Sequence, residues 1–145
     1  MFKKFRIIFL AFVMGIFLSF STVAMASSTT SPNYYFGPYI GYSYFNYSSL
    51  DNTNGAAAGA STCTQSGTVP AGYMGISAYL YDDATGVCKS NTAWFYNSSS
   101  SSGIGAWTPY YTVSGHYYYS KGLSQVYNGN GYTSQWTYQS PKLYY

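Results

Sequence analysis

The side chains able to make or break bonds in this chain are few enough to name. His116 is the only imidazole, Cys63 and Cys88 are the only thiols, and Asp51, Asp82 and Asp83 are the only carboxylates. Nucleophilic catalysis needs a base beside a hydroxyl or thiol. His116 instead stands next to Tyr117 in a tyrosine run, and no Gly-x-Ser-x-Gly elbow occurs. Glycoside hydrolysis usually takes two carboxylates facing each other across a cleft, whereas Asp82 and Asp83 are neighbours in a turn, Asp82-Asp83-Ala84-Thr85-Gly86, where Asp caps nearby amides. An adjacent Asp pair offers too few oxygens for calcium, and two sulfurs with one imidazole are too few for zinc. No phosphate-cradling glycine loop leads into a helix. The inventory points away from an enzyme: no catalytic residue, no metal and no cofactor is expected.

Two other chemistries are open to these residues. In an oxidising compartment Cys63 and Cys88 are expected to form one disulfide, closing a loop of about 25 residues for roughly 3 kcal/mol of stability. The second is stacking. With 20 Tyr, 9 Phe and 3 Trp in 145 residues, the rings either fill a core or present flat faces to a ligand, and aromatic faces stack on sugars. Trp107, Tyr110, Trp136 and Tyr138 are the candidate ligand platform. Trp94 is assigned to the core.

These side chains must be positioned by strands. Tyr132, Ser134, Trp136 and Tyr138 alternate with Thr133, Gln135 and Thr137, a period of two that predicts a strand with one buried and one wet face. Asn128-Gly129-Asn130-Gly131 is a hairpin turn, so Leu123 to Tyr127 is the antiparallel partner. Ser120-Lys121-Gly122 and Ser114-Gly115 read as further turns, leaving His116 to Tyr119 and Tyr110 to Val113 as short strands. Ile76 to Tyr81, apolar on both faces, predicts a central strand returning through Val87 to Ser90, and Ala93 to Tyr96 another buried one. Ser98 to Ser102 reads as a surface loop. The expected fold is all-β, a small antiparallel β-sandwich or barrel.

The N-terminus carries Lys3, Lys4 and Arg6, the apolar run Ile7 to Phe20, and Ala24-Met25-Ala26. This is the pattern of a cleaved signal peptide over residues 1–26, which predicts a secreted, extracellular or cell-surface protein. Removing residues 1–26 from 145 leaves 119. In that remainder Lys89, Lys121 and Lys142 balance Asp51, Asp82 and Asp83, so it has no basic patch for nucleic acid. No second segment reads as a membrane-spanning helix. Residues 27–62 are expected to be a Tyr/Gly-rich N-terminal segment, with Tyr42 to Tyr44 as an edge strand and Asp51 to Ser61 as a flexible linker, followed by a β-sandwich domain over 63–145. Asn46-Tyr47-Ser48 and Asn97-Ser98-Ser99 match the N-glycosylation pattern.

Val69-Pro70-Ala71-Gly72-Tyr73-Met74-Gly75, Trp94-Phe95-Tyr96-Asn97-Ser98-Ser99, Gly115-His116-Tyr117-Tyr118-Tyr119-Ser120-Lys121-Gly122, Tyr127-Asn128-Gly129-Asn130-Gly131-Tyr132 and Ser140-Pro141 carry a resemblance. Over residues 69–145 the chain resembles a group of small secreted proteins of Gram-positive bacteria, which implies export and an all-β domain and names no active site. In size class and Tyr/Gly/Ser bias it is also similar to secreted bacteriocins of the lactococcin 972 type. The leading expectation is a non-enzymatic extracellular protein that binds cell-wall or extracellular polysaccharide or associates with itself. A bacteriocin-like toxin acting on the envelope of competing bacteria and a matrix or fibre component built through Tyr34 to Tyr47 are the alternatives.

Overall fold

The computed structural model describes residues 28–145, and every element in it is a strand. The expected signal peptide lies outside the described residues. The strands are β1 (Ser28–Thr30), β2 (Tyr34–Tyr39), β3 (Tyr42–Asp51), β4 (Ala57–Thr64), β5 (Met74–Asp82), β6 (Cys88–Asn91), β7 (Phe95–Tyr96), β8 (Gly103–Trp107), β9 (Tyr117–Tyr127), β10 (Tyr132–Trp136) and β11 (Leu143–Tyr144). They form two antiparallel sheets packed face to face, the all-β sandwich expected. The first sheet runs β1-β3-β4-β8, with β2 sharing the β1 side of β3. The second runs β10-β9-β5-β6, with β11 beside β10 on β9 and β7 beside β6 on β5.

The inner faces are organised by size. On β9 the inward residues are Tyr118, Ser120, Gly122, Ser124 and Val126; on β3 they are Tyr44, Asn46, Ser48 and Leu50, all buried. Large groups therefore sit at the two ends of the sandwich and small ones in the middle. Tyr44, Val69, Met74 and Val126 pack together at one end, and Leu50, Ala56, Ala58, Leu80 and Tyr118 at the other. Between them Ala60, Ile76 and Ala78 form a thin apolar layer. The middle is thin because Gly122 meets Ala60 across the sheets, where a Cβ on Gly122 would collide with the Ala60 methyl. Rings do not fit there, and polar side chains take their place, bonded to one another and to main-chain carbonyls, with Asn46 Oδ1 alone among them left without a partner. Asn46 Nδ2 donates to Ser124 Oγ at 2.9 Å, Thr62 Oγ1 to the same oxygen at 2.7 Å, Ser120 Oγ to Gly59 O at 2.9 Å and Ser48 Oγ to Tyr138 O at 2.7 Å.

Several expectations are corrected by this arrangement. His116 to Tyr119 and Leu123 to Tyr127 are not separate strands: Ser120-Lys121-Gly122 lies inside the single strand β9, and Gly122 answers the close approach of the sheets rather than a turn. Residues 57–61 are not linker but the start of β4, paired with β3 on one side and β8 on the other. Strand β3 is interior to its sheet rather than an edge. Tyr110 to Val113 make one bridge, Tyr111 with Ala56. Trp94 and Phe95 are exposed, because β7 is a two-residue edge segment. Asn46 and Asn97 are both buried, so this fold leaves no room for a glycan on either.

The disulfide is also absent: Cys63 and Cys88 are free. Thr62 and Thr64 face the interior, so Cys63 between them faces outward from the first sheet. Cys88 is the register partner of Tyr81, an outward residue of the second sheet. The thiols thus lie on opposite outer surfaces, separated by a layer roughly 10 Å thick, far beyond the reach of a disulfide.

Candidate functional site

Aromatic side chains excluded from the interior line the outside. Trp107, Tyr110, Trp136 and Tyr138 are all exposed, but they occupy three places rather than one. Trp107 and Tyr110 come together on the first sheet. Trp136 belongs to the outer face of the second sheet, 5.4 Å from Tyr79. Tyr138 lies where the sheet edges meet, edge-on to Tyr34 at 5.3 Å.

The Trp107–Tyr110 site is built by β4 and the chain that follows β8. Trp107 is the register partner of Gly59. A Cβ on Gly59 would sit 2.7 Å from both Cε2 and Cζ2 of the indole and 2.9 Å from Cδ2. Near-equal distances to three ring atoms mean that the ring lies face-down on the glycine, leaving its other face to solvent at 54 % residue exposure. Beyond it the chain is clamped to β4 at two points. Thr108 N donates to Ala58 O at 2.9 Å while Ala58 N donates to Thr108 Oγ1 at 3.0 Å. Tyr111 N and Ala56 N exchange bonds with each other's carbonyls at 2.8 and 2.9 Å. Tyr110 is held between these clamps, against Gly55, which has φ 131° and leaves no room for a side chain. Asp51, Ala57, Trp107, Thr108 and Tyr110 line an open hollow of about 190 Å³. The Asp51 carboxylate accepts from Thr53 N at 2.7 Å. A flat ring face beside a carboxylate and a phenol is the combination that takes a sugar, one group for the apolar C–H face and the others for the hydroxyls.

The residues singled out for bond chemistry gather elsewhere. His116 Nδ1 lies 3.0 Å from Asp82 Oδ2, Lys89 Nζ 3.9 Å from the same oxygen, and Lys142 Nζ donates to Asp83 Oδ2 at 2.7 Å. Asp82 is nearly inaccessible, and its Oδ1 accepts from Ala84 N and Thr85 N, as expected for an Asp opening a turn. Removal from water works to raise the Asp82 carboxyl. The hydrogen bonds from Thr85 and the charges of His116 and Lys89 outweigh it and hold the group below the ordinary carboxylate range. An imidazole oriented by a carboxylate is half of a general-base arrangement, but its other connections are structural. His116 exchanges main-chain bonds with Tyr145 at 3.0 and 3.2 Å, and Asp83 N donates to Tyr117 O at 2.9 Å. The cluster ties the β5–β6 turn to the last residues of the chain. The His116–Asp82 pairing was not visible in the sequence, since the two residues are 34 positions apart and no spacing motif links them.

No family model, no curated protein and no solved structure matches this chain. Among the described residues, no helix is long and apolar enough to cross a membrane.

Proposed function

We propose that this is an exported, non-enzymatic β-sandwich that binds polysaccharide through the Trp107–Tyr110 hollow. The observation that carries the reading is the Trp107 indole, laid flat on Gly59 with its free face turned outward beside Asp51 and Tyr110. A tryptophan in a soluble fold normally buries most of its large apolar surface; here the glycine and the two main-chain clamps hold it out as a rigid ledge. Rigidity suits a weak ligand, because ring and hydroxyl partners are ordered before the sugar arrives. Export is supported by Lys3, Lys4, Arg6, the apolar run after them and Ala24-Met25-Ala26. Polymer binding is favoured over self-association by the sheet edges. Every edge strand is short, from 2 to 6 residues, and three of the four edges are broken into two pieces. Edges of that kind resist strand addition between copies.

Retention of the mature protein on insoluble cellulose, chitin and peptidoglycan tests the proposal. Wild type is expected to sediment with at least one of these polymers, and Trp107→Ala to lose most of that retention while keeping the wild-type circular dichroism. Failure of wild type to bind any of them, or equal retention of Trp107→Ala, contradicts it.

A further inference from the structure

We infer that the outer face of the second sheet is a separate binding surface for an acidic glycan, with Lys121 pairing a uronate carboxylate and Tyr79 and Trp136 lying beneath the sugar rings. The inference rests on the polysaccharide-binding reading and deepens it by assigning a second face and the charge of its ligand.

The face is continuous and ring-lined. Tyr119 and Tyr81 stack at 5.2 Å with 12° between their planes, Tyr81 and Tyr79 follow at 6.4 Å, and Tyr79 and Trp136 at 5.4 Å. These rings point away from the interior because Tyr118, Ser120, Gly122, Leu80 and Ala78 occupy the inward positions of β5 and β9. Beside them Tyr96 covers Gly75 as Trp107 covers Gly59, with its hydroxyl donating to Gln125 Oε1. Gln125 Nε2 donates in turn to Ser134 Oγ at 3.3 Å.

The charge pattern chooses the ligand. The other described lysines each stand within 4.0 Å of a carboxylate, Lys89 of Asp82 and Lys142 of Asp83. Lys121 instead has its ammonium 5.2 Å from the centroid of the Trp136 ring. It is the register partner of Tyr79, which places their Cβ atoms about 5 Å apart on the same face. No carboxylate is carried by the outward residues of β5, β9 or β10. The face is therefore complementary to an anion, whereas the hollow on the first sheet contains Asp51 and repels one. The ammonium stands over the Trp136 ring, whose centroid is 5.4 Å from that of Tyr79. A ligand that stacks and pairs at once must carry its charge on the stacked ring, as a uronic acid does, and not on a phosphodiester between rings.

Affinity electrophoresis of the mature protein in gels containing polygalacturonate, its fully methyl-esterified form, or inorganic polyphosphate provides the test. Polygalacturonate is expected to bind about tenfold more tightly than the ester, a difference that falls with salt. Lys121→Met, which keeps the side-chain stem, should remove that difference, and Trp136→Ala should weaken binding of both glycans. Equal binding of acid and ester, an unchanged preference in Lys121→Met, or polyphosphate binding as tight as polygalacturonate would overturn the inference. The loss of cellulose, chitin or peptidoglycan retention in Trp107→Ala reports separately on the first-sheet site, so failure of one reading leaves the other measurable.

Discussion

Gly59 and Trp107 face each other across the β4–β8 pairing, and the indole occupies the space where any other residue at 59 would carry its Cβ. The glycine is thus a seat for the ring. Gly59→Ala should lift the indole from the sheet and destabilise the fold by about 1–3 kcal/mol, the usual cost of overpacking. Thermal unfolding and a red shift of the tryptophan emission would report it. Unchanged melting and emission would show that the ring does not depend on the glycine.

The second close approach, Gly122 against Ala60, sets the spacing of the sheets. Gly122→Ala should cost about 1–3 kcal/mol for the same reason. Ala60→Gly in the same chain should recover part of that loss, a coupling that a double-mutant cycle in urea measures directly. Additive effects would mean that the two residues do not touch.

The contrast between these glycines and the turn glycines explains what the sequence disclosed. Asn128-Gly129-Asn130-Gly131 reads as a hairpin turn and is one, with Asn128 N donating to Gly131 O at 3.0 Å. Alternation over Tyr132 to Tyr138 identified the strand. Its inward side is the Thr133, Gln135, Thr137 side, the reverse of what hydrophobicity suggests for a tyrosine-rich strand. Burial depends on how closely the opposite sheet approaches, and that distance is set by Ala60 and Gly122, residues 62 positions apart. For the same reason Gly122 resembled a turn and Ala57 to Ser61 resembled a linker. Of the four platform residues, Trp107 and Tyr110 are close in sequence and share a site. Trp136 and Tyr138 could be sorted onto other surfaces only once the sheets were assembled.

Tyr44 is wholly buried, and its hydroxyl has no hydrogen-bond partner among the described residues. Burial, with the neighbouring phenols of Tyr42 and Tyr73, pushes its pKa from 10.0 to about 12. The folded state holds this proton more tightly than the unfolded chain, so the associated stability is complete below pH 10 and is lost as pH rises towards 12. Tyr44→Phe removes an unsatisfied polar group and should stabilise the protein by about 1 kcal/mol at neutral pH. It should also flatten the alkaline limb, leaving the slope contributed by Tyr81, Tyr96 and Tyr118, which burial also raises. Denaturant midpoints between pH 8 and 12 would show both effects.

Asp82 governs the acid side. Its carboxyl titrates below 3.8 when folded, so its contribution is present above that value and is lost as pH falls through the lowered folded value. Asp82→Asn should be less stable than wild type at neutral pH, and the difference should shrink under acid. A constant difference across pH 2 to 6 would show that the carboxylate charge is not involved.

Both thiols should be open to titration in the folded, non-reduced protein. Cys88 is exposed, and Cys63 is half-buried with its pKa raised by removal from water. A thiol reagent should therefore label Cys88 first and Cys63 more slowly, adding two tags by mass. Absence of labelling until a reductant is added would restore a disulfide.

Titration of the isotopically labelled mature protein with a soluble oligosaccharide from whichever insoluble polymer retains it, followed by amide and indole NMR, tests the central claim most directly. Saturable shifts are expected at the Trp107 indole N–H and at the amides of Asp51, Thr108 and Tyr110, with the interior of β3 and β9 unmoved. Binding shifts that bypass Trp107 and Tyr110 would contradict the assignment of the hollow as the sugar site.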